Sequence, residues 1–349
     1  MQKLNILVAG STGYIGTELI KLLVNHKRIN IKYLCGNSSI GKKISSYDKA
    51  LKNKKLPKII KFNKKLLNDV DVIFSALPNG GAQKISKNLK KHNTLIDLSA
   101  DFRLKKANLY FKYYNIKHSA IKNIKKSIYA LPEIKQKYIK KYQILGCPGC
   151  YPTSVLIPLI PIIKNKLIFN DNIIIDSKSG YSGAGRKVHK KYKNKNLYES
   201  LSAYGIKTHR HNSEIQQELD LATGKKINFT FTPHLSPMFR GILSTIYVNS
   251  NKKIKIEKII NCLKKFYKNE MYIKIAKKNT LISTNDVINT NKCLISICES
   301  KTKNKFIILS AIDNLIKGGG GQAIQNLNIL FNFNKRMGLK WDMNYWSLL

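Results

Sequence analysis

Carboxylates are scarce in this sequence. Asp and Glu number 19 against 63 Lys and Arg, a formal net charge of +44 over 349 residues. An excess of that size is the usual footprint of a nucleic-acid partner. Arginine, however, is scarcer still. There are six (Arg28, Arg103, Arg186, Arg210, Arg240, Arg336), and 57 lysines make up the rest. Nucleic-acid readers lean on the planar, bidentate arginine fork. Here lysine travels with Asn and Ile along the whole chain, so the charge reads as a compositional bias on solvated positions. No nucleic-acid partner is expected. An arginine that survives the bias marks a place where lysine cannot substitute.

Other shortages narrow the class further. Six cysteines in so long a chain make no disulfide framework. The longest apolar stretch, Val155 to Ile163, is broken by Pro158 and Pro161 and is too short to span a bilayer. The opening MQKLNILVAGSTGYIG has no cationic region leading into a long apolar run, so no signal peptide is expected. The default setting is soluble, reducing and cytoplasmic, away from membranes. Hydrophobic residues at 43% and charged residues at 23% describe an ordinary globular protein, and 349 residues suit two domains.

The chain opens as a βαβ unit: LNILVA at 4–9, a glycine-rich turn, the helical spacing of TELIKLLVNH, then INIKYLCG. Further strands are expected at 70–76, 94–98 and 143–146, with lysine-rich helices between them. The alternation predicts a doubly wound parallel sheet of the Rossmann type over about the first 150 residues. Beyond residue 150, longer strand-like runs at 227–233, 241–248, 293–298 and 306–314 predict an α+β domain with a largely antiparallel sheet. GGGGQAIQNLNILFNF then reads as a helix with Ile324, Leu327, Leu330 and Phe331 on one face, returning to the first domain. The expected division is 1–150 with 318–349 as the dinucleotide-binding domain, and 151–317 as the substrate and oligomerisation domain.

Three short segments carry chemistry. In Gly10-Ser11-Thr12-Gly13-Tyr14-Ile15-Gly16 the glycines allow a tight turn and close approach to a pyrophosphate at a helix N-terminus. A plain structural turn is the competing reading. After the second strand an NAD site wants an acidic residue for the ribose. The chain offers Ser38 and Ser39, then Lys42 and Lys43, with no acid before Asp48. NADP is therefore the expected cofactor. Cys147-Pro148-Gly149-Cys150 has the bare spacing of a redox dithiol, half a zinc site, or a nucleophile with an incidental neighbour. No second cysteine pair completes a zinc site, so no metal is expected. Cys150 follows a strand and opens a helix, where the dipole and free N–H groups favour a thiolate; an inert buried cysteine is the alternative. His209-Arg210-His211 with Glu214 packs two histidines, a rare arginine and a rare acid into six residues, and histidine serves as general acid/base near neutrality. A solvated helix start capped by Asn212 or Ser213 would look similar.

Four of the six arginines (Arg103, Arg186, Arg210, Arg240) fall in loops that already look functional, as a substrate bearing carboxylate and phosphate would require. One match is a decoy. Tyr113 to Lys117 has the Y-x-x-x-K spacing of short-chain reductases, but this lysine frequency yields about three such matches by chance.

Taken together, GSTGYIGTEL, ALPNGGAQ, IDLSADFRL, YALPE, GCPGCYPTS, SKSGYSGAGRK, HRHNSEIQQEL, FTPHLSPMFRGIL and DNLIKGGGGQAIQNLN resemble the N-acetyl-gamma-glutamyl-phosphate reductase family, among the aspartate-semialdehyde dehydrogenase relatives. The segments run from residue 10 to residue 328. The resemblance implies NADPH-dependent reduction of an acyl phosphate through a cysteine thioester, with release of phosphate, by a homo-dimer or homo-tetramer. It puts the nucleophile on Cys150 and the acid/base on His209. Arg103, Arg210, His211 and Glu214 would line the substrate. Gly10, Thr12, Gly13, Tyr14, Ile15 and Gly16 would hold the pyrophosphate, with Ser38 near the 2′-phosphate and Pro78, Ser182, Gly183 and Asn314 along the cofactor. Cys147 departs from the family, which usually has Asn or a small residue there, and a disulfide with Cys150 would inactivate the enzyme. A longer or carrier-linked acyl phosphate is the rival substrate. A non-catalytic NADP-binding or nucleic-acid-binding protein is the rival class.

Overall fold

The computed structural model describes residues 3–186 and 199–339. They form two compact units, residues 3–148 with 319–339, and residues 149–318. The sequence reading ends its first domain at Cys150 and resumes it at residue 318. Packing instead groups Gly149, Cys150 and Gly318 with the second unit. Residues 340–349, assigned to the first domain from sequence, lie outside the described residues.

The first unit is a seven-stranded sheet of β1 (Leu4–Ala9), β2 (Ile29–Cys35), β3 (Ile59–Ile60), β4 (Val72–Ser75), β5 (Thr94–Asp97), β6 (Ser127–Tyr129) and β7 (Ile144–Gly146). Its order is β3-β2-β1-β4-β5-β7-β6 and every pairing is parallel. β1 lies centrally with Ile6 to Ala9 fully buried, which is why that stretch is continuously apolar rather than alternating. The chain leaves β1 in one direction to β2 and returns on the other side at β4. That arrangement opens a crevice at the carboxyl end of β1. The helix Tyr14–Leu23 buries Leu19, Ile20, Leu22 and Leu23. The helix Gly321–Leu330 also belongs to this unit. Ile324 and Leu327 of its expected apolar face are buried, whereas Leu330 and Phe331 are only half-buried. Amides contribute to its attachment: Gln325 donates to Glu133 at 2.8 Å and Asn326 to the Ala130 carbonyl at 2.9 Å.

The second unit holds β8 (Ile173–Gly180), β9 (Ser202–Ala203), β10 (Phe229–Ser236), β11 (Ile242–Asn249), β12 (Ile273–Ile275), β13 (Cys293–Glu299) and β14 (Lys305–Ile312), in the order β12-β13-β14-β11-β8-β10-β9. Four pairings are antiparallel and two, β8 with β10 and β12 with β13, are parallel. Along β11 every second residue is buried, the period of a sheet with one covered face. The helix Cys150–Lys164 runs through both Pro158 and Pro161. Pro161 has no N–H for the carbonyl of Ile157, and the Tyr267 hydroxyl donates to that carbonyl at 2.6 Å. Thr153 and Asn165 at the two ends keep their helical backbone bonds. Among the described residues no helix is long and apolar enough to cross a membrane.

Candidate active site

In the first unit the glycine motif occupies the turn from β1 into the helix Tyr14–Leu23, with Gly13 as the residue before the first turn. Gly10 has φ +80°, and a Cβ on it would overlap the Ala76 carbonyl, so the close approach of β1 to β4 requires glycine. Gly16 packs directly on the Gly10 carbonyl. Ser11 fixes the turn, donating through both its N–H and its hydroxyl to the Cys35 carbonyl at 3.2 Å. Thr12, Gly13, Tyr14 and Ile15 are half-buried at the helix entrance. Beside the turn, a cavity of about 540 Å³ is lined by the strand-end residues Ala9 and Cys35, then Gly36, Asn37, Phe62 and Pro78. Ser38 is exposed just beyond it, while Ser39 is buried and bonded to the Tyr47 hydroxyl at 2.6 Å. Helix N-terminus, close-packed glycines and cavity suit a dinucleotide.

Arg103 is held within the same unit. Its Nε donates to the Cys147 carbonyl at 2.7 Å and its Nη2 to the Leu98 carbonyl at 3.0 Å. Two directions of the fork therefore tie strand ends together, a use that lysine could not copy. Cys147 is fully buried, and burial pushes its thiol up to about 12. Its sulfur receives an Asn326 N–H at 3.5 Å. No disulfide joins Cys147 and Cys150.

Cys150 opens the helix Cys150–Lys164 in the second unit. The backbone N–H of Gly149 donates to Glu214 Oε2 at 2.9 Å, and Glu214 is fully buried. Glu214 Oε1 stands 3.8 Å from His211 Nε2. A Cβ at Gly149 would overlap the His211 ring, so the imidazole lies directly on the backbone that precedes Cys150. On another side the Gly318 backbone meets the Cys150 Cβ. Position 152 is proline, so the first-turn donors are the N–H groups of Cys150 and Tyr151.

His209 lies in a different environment. Its ring packs edge-on against Tyr151, Tyr204, Phe231 and His211, with centroids 4.8–5.6 Å away. Nδ1 accepts the His211 N–H at 3.1 Å, which leaves the proton of the neutral ring on Nε2. Burial, reinforced by the neighbouring His211, lowers its pKa from 6.5 to about 3. His209 is therefore neutral at physiological pH. Arg210 is exposed at the entrance of the helix His211–Thr223.

Ser182, Gly183 and Asn314 come together in the second unit. Asn314 Nδ2 donates to Ser182 Oγ at 3.0 Å, and its Oδ1 accepts the Gly241 N–H at 2.8 Å. Arg240, singled out as a possible anion fork, makes an ion pair with buried Asp313 at 3.0 Å.

Family models match both units. Residues 5–142 match the semialdehyde dehydrogenase NAD binding domain, and residues 150–314 the semialdehyde dehydrogenase dimerisation domain. The N-acetyl-gamma-glutamyl-phosphate reductase of Acetivibrio thermocellus is 42% identical over 95% of this chain and 96% of its own length. The chain belongs to the N-acetyl-gamma-glutamyl-phosphate reductase family. The protein of the same name from Thermoanaerobacter pseudethanolicus is also 42% identical, over 95% of this chain and 96% of its own length. In fold, the chain resembles aspartate semialdehyde dehydrogenase II of Vibrio cholerae, with a TM-score of 0.70 at 15% identity, covering 95% of this chain and 99% of that one.

In this member of the reductase family, several residues join the site that the motifs alone did not single out. Tyr151 is buried between the two histidines and donates to the His234 carbonyl at 2.9 Å. Its position next to Cys150 was a usable signal. Tyr204 and Phe231 had none, because they reach His209 only through tertiary packing. Asp313 collects four donors: the N–H groups of Leu315 and Ile316 on Oδ1, and the Asn289 N–H and Arg240 Nη1 on Oδ2. A rare acid next to Asn314 was visible in the text but not its role.

Proposed function

We propose that this chain reduces N-acetyl-L-glutamyl 5-phosphate to N-acetyl-L-glutamate 5-semialdehyde, releasing phosphate, as a step of arginine biosynthesis. Identity to same-named reductases over nearly the full length supports the substrate. The observation that carries the chemistry is a cysteine at a helix N-terminus whose preceding backbone is gripped by a buried glutamate and a histidine.

The Cys150 thiolate attacks the acyl carbon. A C–S bond forms, the C–O bond to phosphate breaks, and phosphate leaves with the electron pair. The first-turn N–H groups of Cys150 and Tyr151 are the donors for the developing oxyanion. When bound, the reduced dinucleotide supplies hydride to the thioester carbon. Collapse of the resulting thiohemiacetal expels the Cys150 thiolate and frees the aldehyde. The sequence resemblance places the acid/base on His209; we assign it to His211. His209 is held neutral, with Nδ1 already occupied, and it positions the backbone of His211. His211, paired with Glu214, takes the Cys150 proton and exchanges it with the substrate oxygen. Exposed Arg210 is left as the substrate contact in this reading; Glu214, expected to line the substrate, is fully buried and acts through Gly149 and His211, and Arg103 acts through the backbone it holds at Cys147.

The cofactor is read as NADP. Gly10, Thr12, Gly13, Tyr14, Ile15 and Gly16 would cradle the pyrophosphate and Pro78 would flank it. Exposed Ser38 stands where an NAD site would carry an acid, and Ser182, Gly183 and Asn314 would serve the nicotinamide end. The dimerisation-domain match favours a homo-oligomer, read here as a dimer or tetramer. The test is phosphate-dependent reduction of NADP with N-acetylglutamate semialdehyde, wild type beside Cys150→Ser, with NAD in parallel. Activity that needs phosphate, prefers NADP and disappears in the variant is expected. Turnover retained by Cys150→Ser would end the thioester mechanism. Activity only with a longer or carrier-linked semialdehyde would move the substrate.

A further inference from the structure

The lysine bias is not uniform. In residues 42–65, ten of 24 residues are lysine and a single one, Asp48, is acidic. All ten lysines are exposed. Asp48 is neutralised by Lys21, whose Nζ lies 3.1 Å from it. This segment is a folded lobe and not a tail: Ile44, Leu51 and Ile59 are buried beneath it, and β3 joins it to the edge of the parallel sheet beside β2. Gly36 and Gly41 bond to the carbonyls of Ile60 and Ile59, so the lobe is fastened to the loop that leaves the carboxyl end of β2. Lys61, from the lobe, lines the 540 Å³ cavity, as do Lys84 and Lys117. Around β3, where Ile59 and Ile60 pair with Leu34 and Cys35, the lobe's Lys58, Lys61, Lys64 and Lys65 thus put exposed cations beside the mouth of the cavity read as the dinucleotide site, whereas Lys54 and Lys55 lie beside Ile29–Ile31 at the amino end of β2.

We propose that the 42–65 lobe is an electrostatic funnel that draws a phosphorylated dinucleotide into this cavity and sets its association rate. The inference rests on the cofactor reading above. Solvated lysines add little to a bound complex but sum to a field that raises the encounter rate of an oppositely charged ligand. The field reaches about 10 Å at 0.1 M salt and shrinks as salt rises. A 2′-phosphate adds about −1.5 to −2 charges at neutral pH. The funnel therefore favours NADPH over NADH in rate before any contact with Ser38 is made.

Stopped-flow binding of NADPH and of NADH to the full chain, at several salt concentrations, tests this. The NADPH association rate is expected to fall on the order of tenfold between dilute buffer and about 0.2 M salt, with a shallower fall for NADH. A triple variant Lys58→Gln, Lys64→Gln, Lys65→Gln, exposed residues that flank the cavity-lining Lys61 and Phe62 without lining the cavity themselves, should slow NADPH association severalfold at low salt and leave dissociation unchanged. The triple Lys252→Gln, Lys253→Gln, Lys303→Gln, exposed in the second unit, removes the same charge and should leave the rate near wild type. Equal effects of the two triples would assign steering to net charge and overturn the proposal. So would salt slopes that match for NADPH and NADH, or a change confined to dissociation. Absence of dinucleotide binding at every salt concentration would instead remove the cofactor reading itself, and the funnel with it.

Discussion

The contact between Gly149 and His211 gives the sharpest test of the site. Gly149 has φ −66° and ψ 159°, an extended conformation open to any residue, so alanine there brings no backbone strain. What it brings is one methyl group. That Cβ would lie 2.7 Å from both Cδ2 and Cε1 of His211, with Nε2 nearer still. Carbon atoms rest at about 3.5–4.0 Å, so the imidazole has to retreat by about 1 Å. A displacement of about 1 Å in a reacting group costs about 100-fold in turnover, or about 2.7 kcal/mol of barrier. Overpacking costs about 1–3 kcal/mol of stability if the ring stays, and less if it swings away. Gly149→Ala is therefore expected to fold, to bind dinucleotide as wild type does, and to lose about two orders of magnitude in kcat. Initial rates, a thermal melt and a cofactor titration on one preparation check all three. A folded Gly149→Ala enzyme with kcat within threefold of wild type would refute the placement of His211 beside the nucleophile.

Three further outcomes are expected. Substoichiometric alkylation near pH 7, read by peptide mass mapping, should label Cys150 and spare Cys147 and Cys35, because burial pushes both of the latter thiols up to about 12; labelling of Cys147 first would contradict its environment. His209 has a folded pKa of about 3 against 6.5 when unfolded, so the unfolded chain binds the extra proton between those values. The contribution of the neutral ring is present above pH 6.5 and is lost as pH falls towards 3. His209→Gln should flatten that acid limb in urea titrations, and an unchanged slope would show that other groups cause it. Asp313→Ala leaves Arg240 and three backbone N–H groups without their acceptor. A loss of about 3–5 kcal/mol is expected, with a smaller but measurable loss for Arg240→Lys, both read from denaturant midpoints; an Arg240→Lys protein as stable as wild type would deny the guanidinium fork a role.

Much of this protein was legible from local sequence. β1, the glycine turn and the helix behind it follow from apolar runs and glycine spacing that need no partner to interpret. The antiparallel second sheet was legible where strands were rich in β-branched residues, as in β11 and β14. β8 escaped notice because its second half, Asp176 to Gly180, is polar, although it lies centrally between β10 and β11. β3, β6, β9 and β12 are two or three residues long and carry too little pattern to register. The arginines illustrate both sides. Two of them have defined protein partners rather than the expected substrate anion: Arg103 grips two carbonyls and Arg240 a buried carboxylate. Composition identifies a fork and not what it holds.

By itself, the sequence determined the architecture and the family, because periodicity, glycine turns and motif spacing are local properties of a chain. Only the tertiary structure distinguished the surroundings of the two histidines. His209 and His211 are two residues apart and chemically the same. One is enclosed by Tyr151, Tyr204 and Phe231 and held neutral; the other lies against Gly149 and Glu214. Burial and neighbouring charge set the protonation of a side chain, and both are supplied by residues distant in sequence.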